Sequence, residues 1–184
     1  TGVQTCALPI SHDGEVAVRY EGGKPSDFKL RLRIPAWCRG ALVETGGEET
    51  ILNEGGNYFV IDKTWQPGEI VKLTMPQPVR MIVPDPRIEA QRGRVAFARG
   101  PLVYCLEKTD AGFPVEAARL VLSPEEVAAK AQTEWKDDLS GGIHKLHVPG
   151  AVNGQPANLT MVPWYVRANR SDDSRWVVML PYER

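Results

Sequence analysis

The 184-residue sequence is poor in cysteine, carries almost no net charge and lacks a long apolar run. Its three cysteines, Cys6, Cys38 and Cys105, form no C-x-x-C pair, and an odd total gives no disulfide framework. Lys and Arg total 22 against 23 Asp and Glu, a balance that disfavours nucleic acid and acidic membrane surfaces as partners. Because no apolar run approaches the roughly 20 residues of a bilayer-spanning helix, we expect no membrane partner.

The usual catalytic motifs are absent as well. Neither a phosphate loop nor a G-x-S-x-G nucleophile elbow is present. Most glycosidases need two carboxyl groups about 5–9 Å apart, whereas neighbouring carboxylates on a strand point to opposite faces. Solvated surface positions are therefore favoured for the adjacent acidic pairs, which are Glu48-Glu49, Glu125-Glu126, Asp137-Asp138 and Asp172-Asp173.

His144 and His147 form a weak candidate for a metal-binding pair. Their spacing of three suits one face of a helix, but Gly141-Gly142 and the flanking apolar residues predict a strand. No cysteine or third histidine lies nearby in the sequence to complete a zinc site. We therefore assign no metal ligand.

The clearest positive signal is an alternating stretch at residues 28–34. Phe28, Leu30, Leu32 and Ile34 alternate with three basic residues, so one face is apolar and the other cationic. This period predicts a half-buried antiparallel strand, because a helix would scatter the four apolar side chains around its axis.

Further short strands predict an all-β fold of two consecutive antiparallel β-sandwich domains. The expected strands begin at Glu15 and continue at 28–34, 41–45, 58–61, 70–75, 95–99, 102–106, 133–137, 143–148, 158–163 and 175–180. Pro84-Asp85-Pro86 indicates a boundary, which gives a first domain at 11–86, truncated at its N-terminus, and a second at 87–184. Ser123 as N-cap and Pro124 at the first helical position predict one short helical turn near 123–131.

The five tryptophans could form a surface on which sugar rings stack. They lie in different segments, however, and tryptophans in sandwiches mostly anchor cores, so core positions are favoured. The adjacent pair Trp164-Tyr165 is the candidate for carbohydrate contact; an exposed planar cluster that includes both rings would support that role, and burial of the rings would contradict it.

Residues 1–10, Thr1 to Ile10, resemble a translated sequencing adapter. The string TGVQTCALPI is the forward translation of ACTGGAGTTCAGACGTGTGCTCTTCCGATC, which looks like a common short-read adapter. A signal peptide would need a basic start and a longer apolar stretch. We therefore expect this segment, with Cys6, to be non-native.

Several motifs resemble the β-sandwich region of glycoside hydrolase family 127. Arg33–Cys38 is similar to R-I-P-x-W-C, and Gly93–Glu107 closely resembles G-R-V-A-x-x-R-G-P-L-V-Y-C-L-E. Leu139–Ile143 is similar to L-x-G-G-V, and 162–170 matches I-P-Y-Y-x-W-A-N-R except at Trp164 and Arg167. The resemblance spans about Ser11 to Pro181 in the family's order.

The resemblance implies that the catalytic machinery lies elsewhere. Characterised members of the family are β-L-arabinofuranosidases with an N-terminal (α/α)6 barrel followed by two β-sandwiches. The barrel carries a cysteine nucleophile, a glutamate acid/base and a zinc ion held by cysteines and a glutamate. Cys38 and Cys105 fall in sandwich motifs instead. We therefore assign no catalytic, cofactor-binding or metal residue and expect zinc in the missing domain only.

The resemblance further implies a bacterial glycoside hydrolase that acts on β-L-arabinofuranosides of plant-type glycans. The chain would be its non-catalytic scaffold, with the enzyme's own N-terminal barrel and a second copy, joined through the sandwich domains, as expected partners. The alternative is a carbohydrate-binding module that uses Trp164 and Tyr165. The sequence does not fix the compartment, although the cytoplasm is favoured.

Overall fold

The computed structural model describes residues 13–137, 139, 141–171 and 175–183. The adapter-like residues 1–10 lie outside this part. The chain divides into two compact units, Thr1–Gln77 and Pro78–Arg184. The sequence places the boundary after Pro86, but the strand Val79–Ile82 pairs with Arg94–Arg99 and belongs to the second unit. Pro84 and Pro86 follow this strand and do not mark the division between the units.

Residues 13–77, the described part of the first unit, form two antiparallel sheets. Its strands are β1 (Glu15–Arg19), β2 (Ser26–Arg33), β3 (Ala41–Thr45), β4 (Glu48–Leu52), β5 (Tyr58–Trp65) and β6 (Ile70–Thr74). One sheet has the order β1-β6-β3-β4, and β2 pairs with β5 in the other. Strand β4 is missing from the sequence prediction. It returns from a tight turn at Gly46-Gly47, where both glycines have positive φ angles of 60° and 84°.

The core of the first unit lies between these two sheets. In β2 the apolar side chains face inward and the basic side chains outward, as the alternation predicts. The register pairs Leu30 with Ile61 and Leu32 with Phe59, so both strands present apolar side chains to the same face. The predicted β-sandwich is confirmed here, because residues of both sheets share one core: Val18, Leu32, Ile34, Cys38, Ala41, Val43, Trp65, Val71, Leu73 and Met75.

The described residues of the second unit form nine strands in one sheet. The strands are β7 (Val79–Ile82), β8 (Arg94–Arg99), β9 (Leu102–Glu107), β10 (Ala118–Arg119), β11 (Gln132–Lys136), β12 (Ile143–Val152), β13 (Gln155–Pro163), β14 (Trp176–Val177) and β15 (Leu180–Pro181). Short helices lie at α1 (Lys108–Ala111) and α2 (Pro124–Lys130), with 3₁₀ turns at Glu89–Gln91, Val115–Ala117 and Trp164–Val166. The predicted antiparallel all-β class is confirmed, although this unit uses a single sheet.

This sheet closes on itself around its core. The order is β10-β12-β13-β9-β8-β15, with β11 on β12, β14 on β9 and β7 on β8. Just beyond the two end strands, the Leu120 N–H donates to the Pro181 carbonyl and the Glu183 N–H donates to the Leu120 carbonyl, both at 2.9 Å. Joining the ends satisfies backbone groups that an open edge would expose. The main core includes Phe97, Tyr104, Leu106, Val127, Leu146, Val148, Leu159, Met161 and Leu180.

Helix α2 begins as the sequence predicts. The Ser123 hydroxyl accepts a hydrogen bond from the Glu126 N–H, and the Glu126 carboxylate accepts one from the Ser123 N–H. This capping box satisfies two N–H groups that the first turn leaves unpaired. Val127 anchors the helix in the main core. Within the described residues, no helix is long and apolar enough to cross a bilayer.

The sheet of the second unit also buries side chains on the face opposite its main core, here called the outer face. Cys105 of β9, Ile143 of β12 and Val162 of β13 form a small apolar cluster there, and all three are fully buried. The chain after β13 covers this cluster, and Val166 inserts into it. Residues 164–171 are called the covering segment below, and they carry the candidate site.

Candidate functional site

Trp164 and Tyr165 lie side by side on the surface, at the start of the covering segment. Their side chains are 43% and 47% exposed, in the 3₁₀ turn that follows β13. The next residue, Val166, is 2% exposed and packs in the outer-face cluster. The buried valine thus holds the two aromatic rings outward. The structure therefore exposes both residues that the sequence singles out for carbohydrate contact.

Two further residues join this aromatic surface. Trp176 of β14 is 42% exposed, and its ring meets the Trp164 ring edge to face, with centroids 6.2 Å apart. The Arg167 guanidinium carbon lies 3.7 Å from the Trp164 centroid and 4.9 Å from the Trp176 centroid. Arg167 also donates a hydrogen bond to the Trp164 carbonyl at 3.1 Å. We call Trp164, Tyr165, Arg167 and Trp176 the aromatic–arginine cluster.

The two tryptophan rings of this cluster do not form a flat platform. The planes of Trp164 and Trp176 differ by 78°, so the two rings cannot stack together on one face of a sugar chain. Arg167 stacks at a distance suited to a cation–π contact and occupies one face of Trp164. The rings are exposed at the surface, and Arg167 itself occupies the angle between Trp164 and Trp176.

A buried ionic network holds the covering segment beneath this cluster. Glu107 at the end of β9 is 0% exposed, and its carboxylate accepts a hydrogen bond from the Ala168 N–H at 2.7 Å. The Arg170 guanidinium binds both Glu107 and Asp110, and Lys145 binds Asp110 at 2.7 Å. Two carboxylates thus face two cations, which is the arrangement that makes buried charge tolerable.

The electrostatics of the network stabilise its ionised form. Burial alone favours the neutral form of Asp110, but hydrogen bonds from Arg170 and Lys145 outweigh this effect and hold the pKa of its carboxyl below the usual value. The hydrogen bond to Asp110 in turn raises the pKa of Arg170, and Glu107 adds to this. Both groups therefore remain charged at neutral pH.

Sequence reasoning missed this network, although both of its ends lie in family-like motifs. Glu107 closes the stretch at 93–107 and Arg170 closes the stretch at 162–170, yet the two residues are 63 positions apart. Nothing in local periodicity links them. One sequence signal could have indicated Glu107: it is a charged residue at the end of an apolar run predicted to form a strand, Leu102–Glu107.

The two described cysteines are unsuited to nucleophilic catalysis. Cys105 is fully buried, and burial, together with the charge of Glu107, raises the pKa of its thiol to about 12. Burial also raises the pKa of the Cys38 thiol. The thiolate is the reactive form of cysteine, and these environments suppress it. Cys6 lies outside the described residues.

His144 and His147 lie on strand β12, as the sequence predicts, and point to opposite faces. The His144 ring meets Trp135 edge to face with centroids 5.0 Å apart. His147 lies within hydrogen-bonding distance of Thr160 at 3.2 Å and of Glu134 at 3.1 Å. Across residues 13–137, 139, 141–171 and 175–183, no group of three or more His, Cys, Asp or Glu could hold a metal ion.

The two adjacent acidic pairs that are fully described lie in strand β4 and in the first turn of helix α2. Glu48 and Glu49 are exposed at the start of β4. Glu125 and Glu126 lie in the first turn of α2. Asp138, Asp172 and Asp173 lie outside the described residues.

The tryptophans divide between core and surface. Trp65 is 2% exposed and donates a hydrogen bond to the Phe28 carbonyl at 2.9 Å, and Trp37 packs partly buried against the same core. The expectation of core positions holds for these two residues. It is wrong for Trp135, Trp164 and Trp176, which are 42–43% exposed.

Two family models match consecutive parts of the chain. Residues 79–180 match the glycoside hydrolase family 127 C-terminal domain, and residues 3–77 match the β-L-arabinofuranosidase GH127 middle domain. The second match includes most of the adapter-like segment. The division between the two matches coincides with the division between the compact units at Gln77 and Pro78.

Relatives of known structure have the same fold. A GH127 β-L-arabinofuranosidase from Geobacillus stearothermophilus is 29% identical with a TM-score of 0.80, over 96% of this chain and 30% of that one. A GH127 β-arabinofuranosidase is 26% identical with a TM-score of 0.81, over 96% of this chain and 31% of that one.

A curated relative matches in sequence over a similar share of its length. The non-reducing end β-L-arabinofuranosidase of Bifidobacterium longum subsp. longum is 29% identical in an alignment 168 residues long, which covers 79% of this chain and 25% of that protein. The chain thus spans about a quarter to a third of the length of these relatives. It belongs to glycoside hydrolase family 127 and comprises a middle domain and a C-terminal domain of that family.

Proposed function

We propose that this chain is the non-catalytic scaffold of a bacterial glycoside hydrolase that acts on β-L-arabinofuranosides of plant-type glycans. The observation that carries the proposal is the match of residues 3–77 and 79–180 to the middle and C-terminal domains, within relatives that are three to four times longer. The family resemblance implies that the catalytic cysteine, glutamate and zinc belong to a preceding barrel, and this supports the proposal. The scaffold would brace this barrel.

The chemistry of the described cysteines supports the proposal. Catalysis by cysteine requires a thiolate that the substrate can reach. Cys38 and Cys105 are both fully buried, and burial raises the pKa of both thiols. Neither side chain meets either requirement.

The proposed partners are the enzyme's own barrel and a second copy of the chain. The first unit exposes several large apolar side chains that a partner could cover, among them Ile51 at 66%, Tyr58 at 59% and Val60 at 42%. Light scattering coupled to gel filtration tests the second copy. A dimer that dissociates after Tyr58→Ser with Val60→Ser would support it, and a monomer at high concentration would contradict it.

The decisive genetic experiment is to recover the coding sequence upstream of Ser11 and express the longer frame. The longer protein should hydrolyse an aryl β-L-arabinofuranoside and bind zinc in a stoichiometric amount. The 184-residue chain should bind less than a tenth of that zinc by mass spectrometry of the metal. One zinc per 184-residue chain would contradict the proposal.

A second candidate function is carbohydrate binding through Trp164 and Tyr165. The observation that favours it is the half-exposure of Trp164, Tyr165 and Trp176, with the Trp164 and Trp176 rings in edge-to-face contact, because exposed apolar patches mark interaction sites. Titration with neutral arabino-oligosaccharides, followed by tryptophan fluorescence, tests this function. Saturable binding that Trp164→Ala abolishes would support carbohydrate binding. No binding at an oligosaccharide concentration of about 10 mM, which is tenfold above a dissociation constant of about 1 mM, would count against it.

A further inference from the structure

A surface cavity of about 640 Å³, here called the closure cleft, lies where the sheet of the second unit closes on itself. Strand β10 and the residues beside it form one wall, and the Asn153-Gly154 turn between β12 and β13 forms the other. Glu183, which follows β15, completes the rim. Cavities that bind small molecules usually have volumes of about 300–1,000 Å³, so the closure cleft is large enough for such a ligand.

The floor of the closure cleft is made of small residues because two strands come very close together there. Gly150 of β12 lies against β10, and a Cβ atom at this position would be 2.8 Å from the Arg119 carbonyl oxygen. Ala151, the next residue of β12, pairs with Arg119 across the ladder and also lines the cleft. Val121 adds an aliphatic side chain that is 53% exposed. A ligand on this floor would therefore contact mainly small and aliphatic groups.

The guanidinium of Arg119 is held at the rim of the closure cleft by the backbone. Its Nη1 atom donates hydrogen bonds to the Glu116 carbonyl at 2.6 Å and to the Ala118 carbonyl at 2.8 Å. Its Nε atom lies 3.9 Å from the Glu183 carboxylate. The backbone contacts fix the planar group, which carries five N–H donors in all, so a ligand can bind the remaining donors with little loss of side-chain freedom.

Glu183 and Asn153 place acceptor groups near this donor. The Glu183 side chain is 70% exposed, and its distance of 3.9 Å from Arg119 Nε is too long for a hydrogen bond. The Asn153 N–H donates to the Ala117 carbonyl at 3.4 Å, which ties the turn to the opposite wall of the cleft. A hydroxyl group both donates and accepts, so one hydroxyl can accept from Arg119 and donate to Glu183 at the same time.

The two charged side chains at the rim favour a neutral ligand. An anionic ligand would be attracted by Arg119 and repelled by Glu183, and a cationic ligand would meet the reverse. A sugar is neutral, carries several hydroxyls on adjacent carbons, and has C–H groups that can rest on an aliphatic floor. Its chemistry therefore matches both the rim and the floor of the closure cleft.

We propose that the closure cleft binds one neutral sugar unit of an oligosaccharide. Arg119 and Glu183 bind neighbouring hydroxyls, and the Asn153 side chain binds a further hydroxyl from the opposite wall. This site goes beyond the functions proposed above, because Trp164 and Tyr165 line no part of the cleft.

The test is calorimetric titration of the 184-residue chain with arabinotriose. Glu183→Ala should weaken binding by about 10-fold, which is the usual effect of losing a hydrogen bond to a charged group. Asn153→Gly removes the side-chain amide, suits the positive φ of 50° at this position, and should also weaken binding. The matched control is Glu116→Ala. The Glu116 carboxylate pairs with Arg175 outside the cleft, so its loss should leave the affinity unchanged.

The outcomes separate this site from the aromatic–arginine cluster. Undiminished binding by Glu183→Ala and Asn153→Gly would overturn the proposal, and loss of binding in Trp164→Ala alone would assign the sugar to the aromatic surface. No binding of arabinotriose at about 10 mM would overturn both sites. Per-O-methylated arabinotriose lacks hydroxyl donors, so equal binding of this form would also contradict the proposal. The two variants alter different segments of the chain, so if one of them misfolds, the other still decides.

Discussion

In the described part of the first unit the buried core side chains are all apolar, whereas the second unit also buries the charged residue Glu107. The first core forms between two sheets whose strands alternate inward and outward side chains. The second unit has a comparable main core, but it adds an ionic network on the outer face that ties the covering segment to β9 and α1. The core of the first unit thus depends on apolar packing, and the second unit adds buried paired charge.

This difference locates the part of the chain that can carry a specific surface. Apolar packing tolerates exchange of similar side chains, whereas a buried carboxylate requires its particular partner. The covering segment depends on such a partner, Arg170, and it presents the aromatic–arginine cluster. Stability measurements on the two units can therefore test whether the distinction is real.

The largest effect is expected from Trp65→Ala in the first unit. Trp65 is 2% exposed, stacks on Phe28 with centroids 5.2 Å apart, and would leave a large cavity. Such substitutions reduce the free energy of unfolding by about 3–5 kcal/mol. Urea unfolding measures this reduction in the free energy of unfolding, and hydrogen exchange shows whether β2 and β5 lose protection. Trp176→Ala is the control at 42% exposure, and an equal loss there would contradict the assigned burial.

Arg170→Ala should be the most damaging change to the outer face of the second unit. It leaves Glu107, which is 0% exposed, without its cationic partner, and breaking a buried pair reduces the free energy of unfolding by about 3 kcal/mol or more. Hydrogen exchange should show the loss at residues 104–107 and 164–170. Arg175→Ala is the matched control, because Arg175 and Glu116 are 71% and 61% exposed. A change below about 0.5 kcal/mol for Arg170→Ala would show that the network is dispensable.

Acid should weaken the second unit through Asp110. Its folded-state pKa lies below the value of about 3.9 in an unfolded chain. A depressed carboxyl pKa contributes stability that is present above the unfolded pKa and is lost as the pH falls through the folded pKa. Unfolding of the second unit should therefore become easier below about pH 4. The Asp110→Asn variant should lose less stability than the unmodified chain between pH 6 and pH 3, and parallel curves would contradict this role.

The smallest predicted change is at the start of α2. Ser123→Ala removes the hydroxyl that accepts from the Glu126 N–H, and loss of such a cap typically reduces the free energy of unfolding by about 1 kcal/mol. Ser123→Asp retains an acceptor and should restore most of the stability. Urea midpoints compare the three proteins, and equal midpoints for Ser123→Ala and the unmodified chain would show that the capping box is not needed.

Much of the fold could be predicted because its signals are local. The alternation in β2 and the Ser123 cap both act within a few residues, and the structure confirms both. The strand β7 was missed because Val79–Ile82 is only four residues long and precedes the prolines. Asn153-Gly154, which joins β12 and β13 with positive φ angles of 50° and 77°, is a hairpin signal that the sequence did offer.

The candidate site could be predicted only in part. Trp164 and Tyr165 stand out as adjacent rings, but their exposure depends on Val166 being drawn into a cluster formed by distant strands. Arg167 and Trp176 come together because β14 pairs with β9. The Glu107–Arg170 pair spans 63 positions. Long-range contacts of this kind leave no periodic pattern in the sequence. The sequence therefore assigns no role to the residues that make these contacts.

The central claim is that the 184-residue chain carries no catalysis of its own, and the most direct test is turnover of an aryl β-L-arabinofuranoside by the purified protein. The Bifidobacterium longum relative serves as the positive control under the same conditions. We predict a rate equal to that of buffer, with and without added zinc, because Cys38 and Cys105 are buried as thiols. Turnover above buffer that disappears in Cys38→Ser or Cys105→Ser would contradict the account.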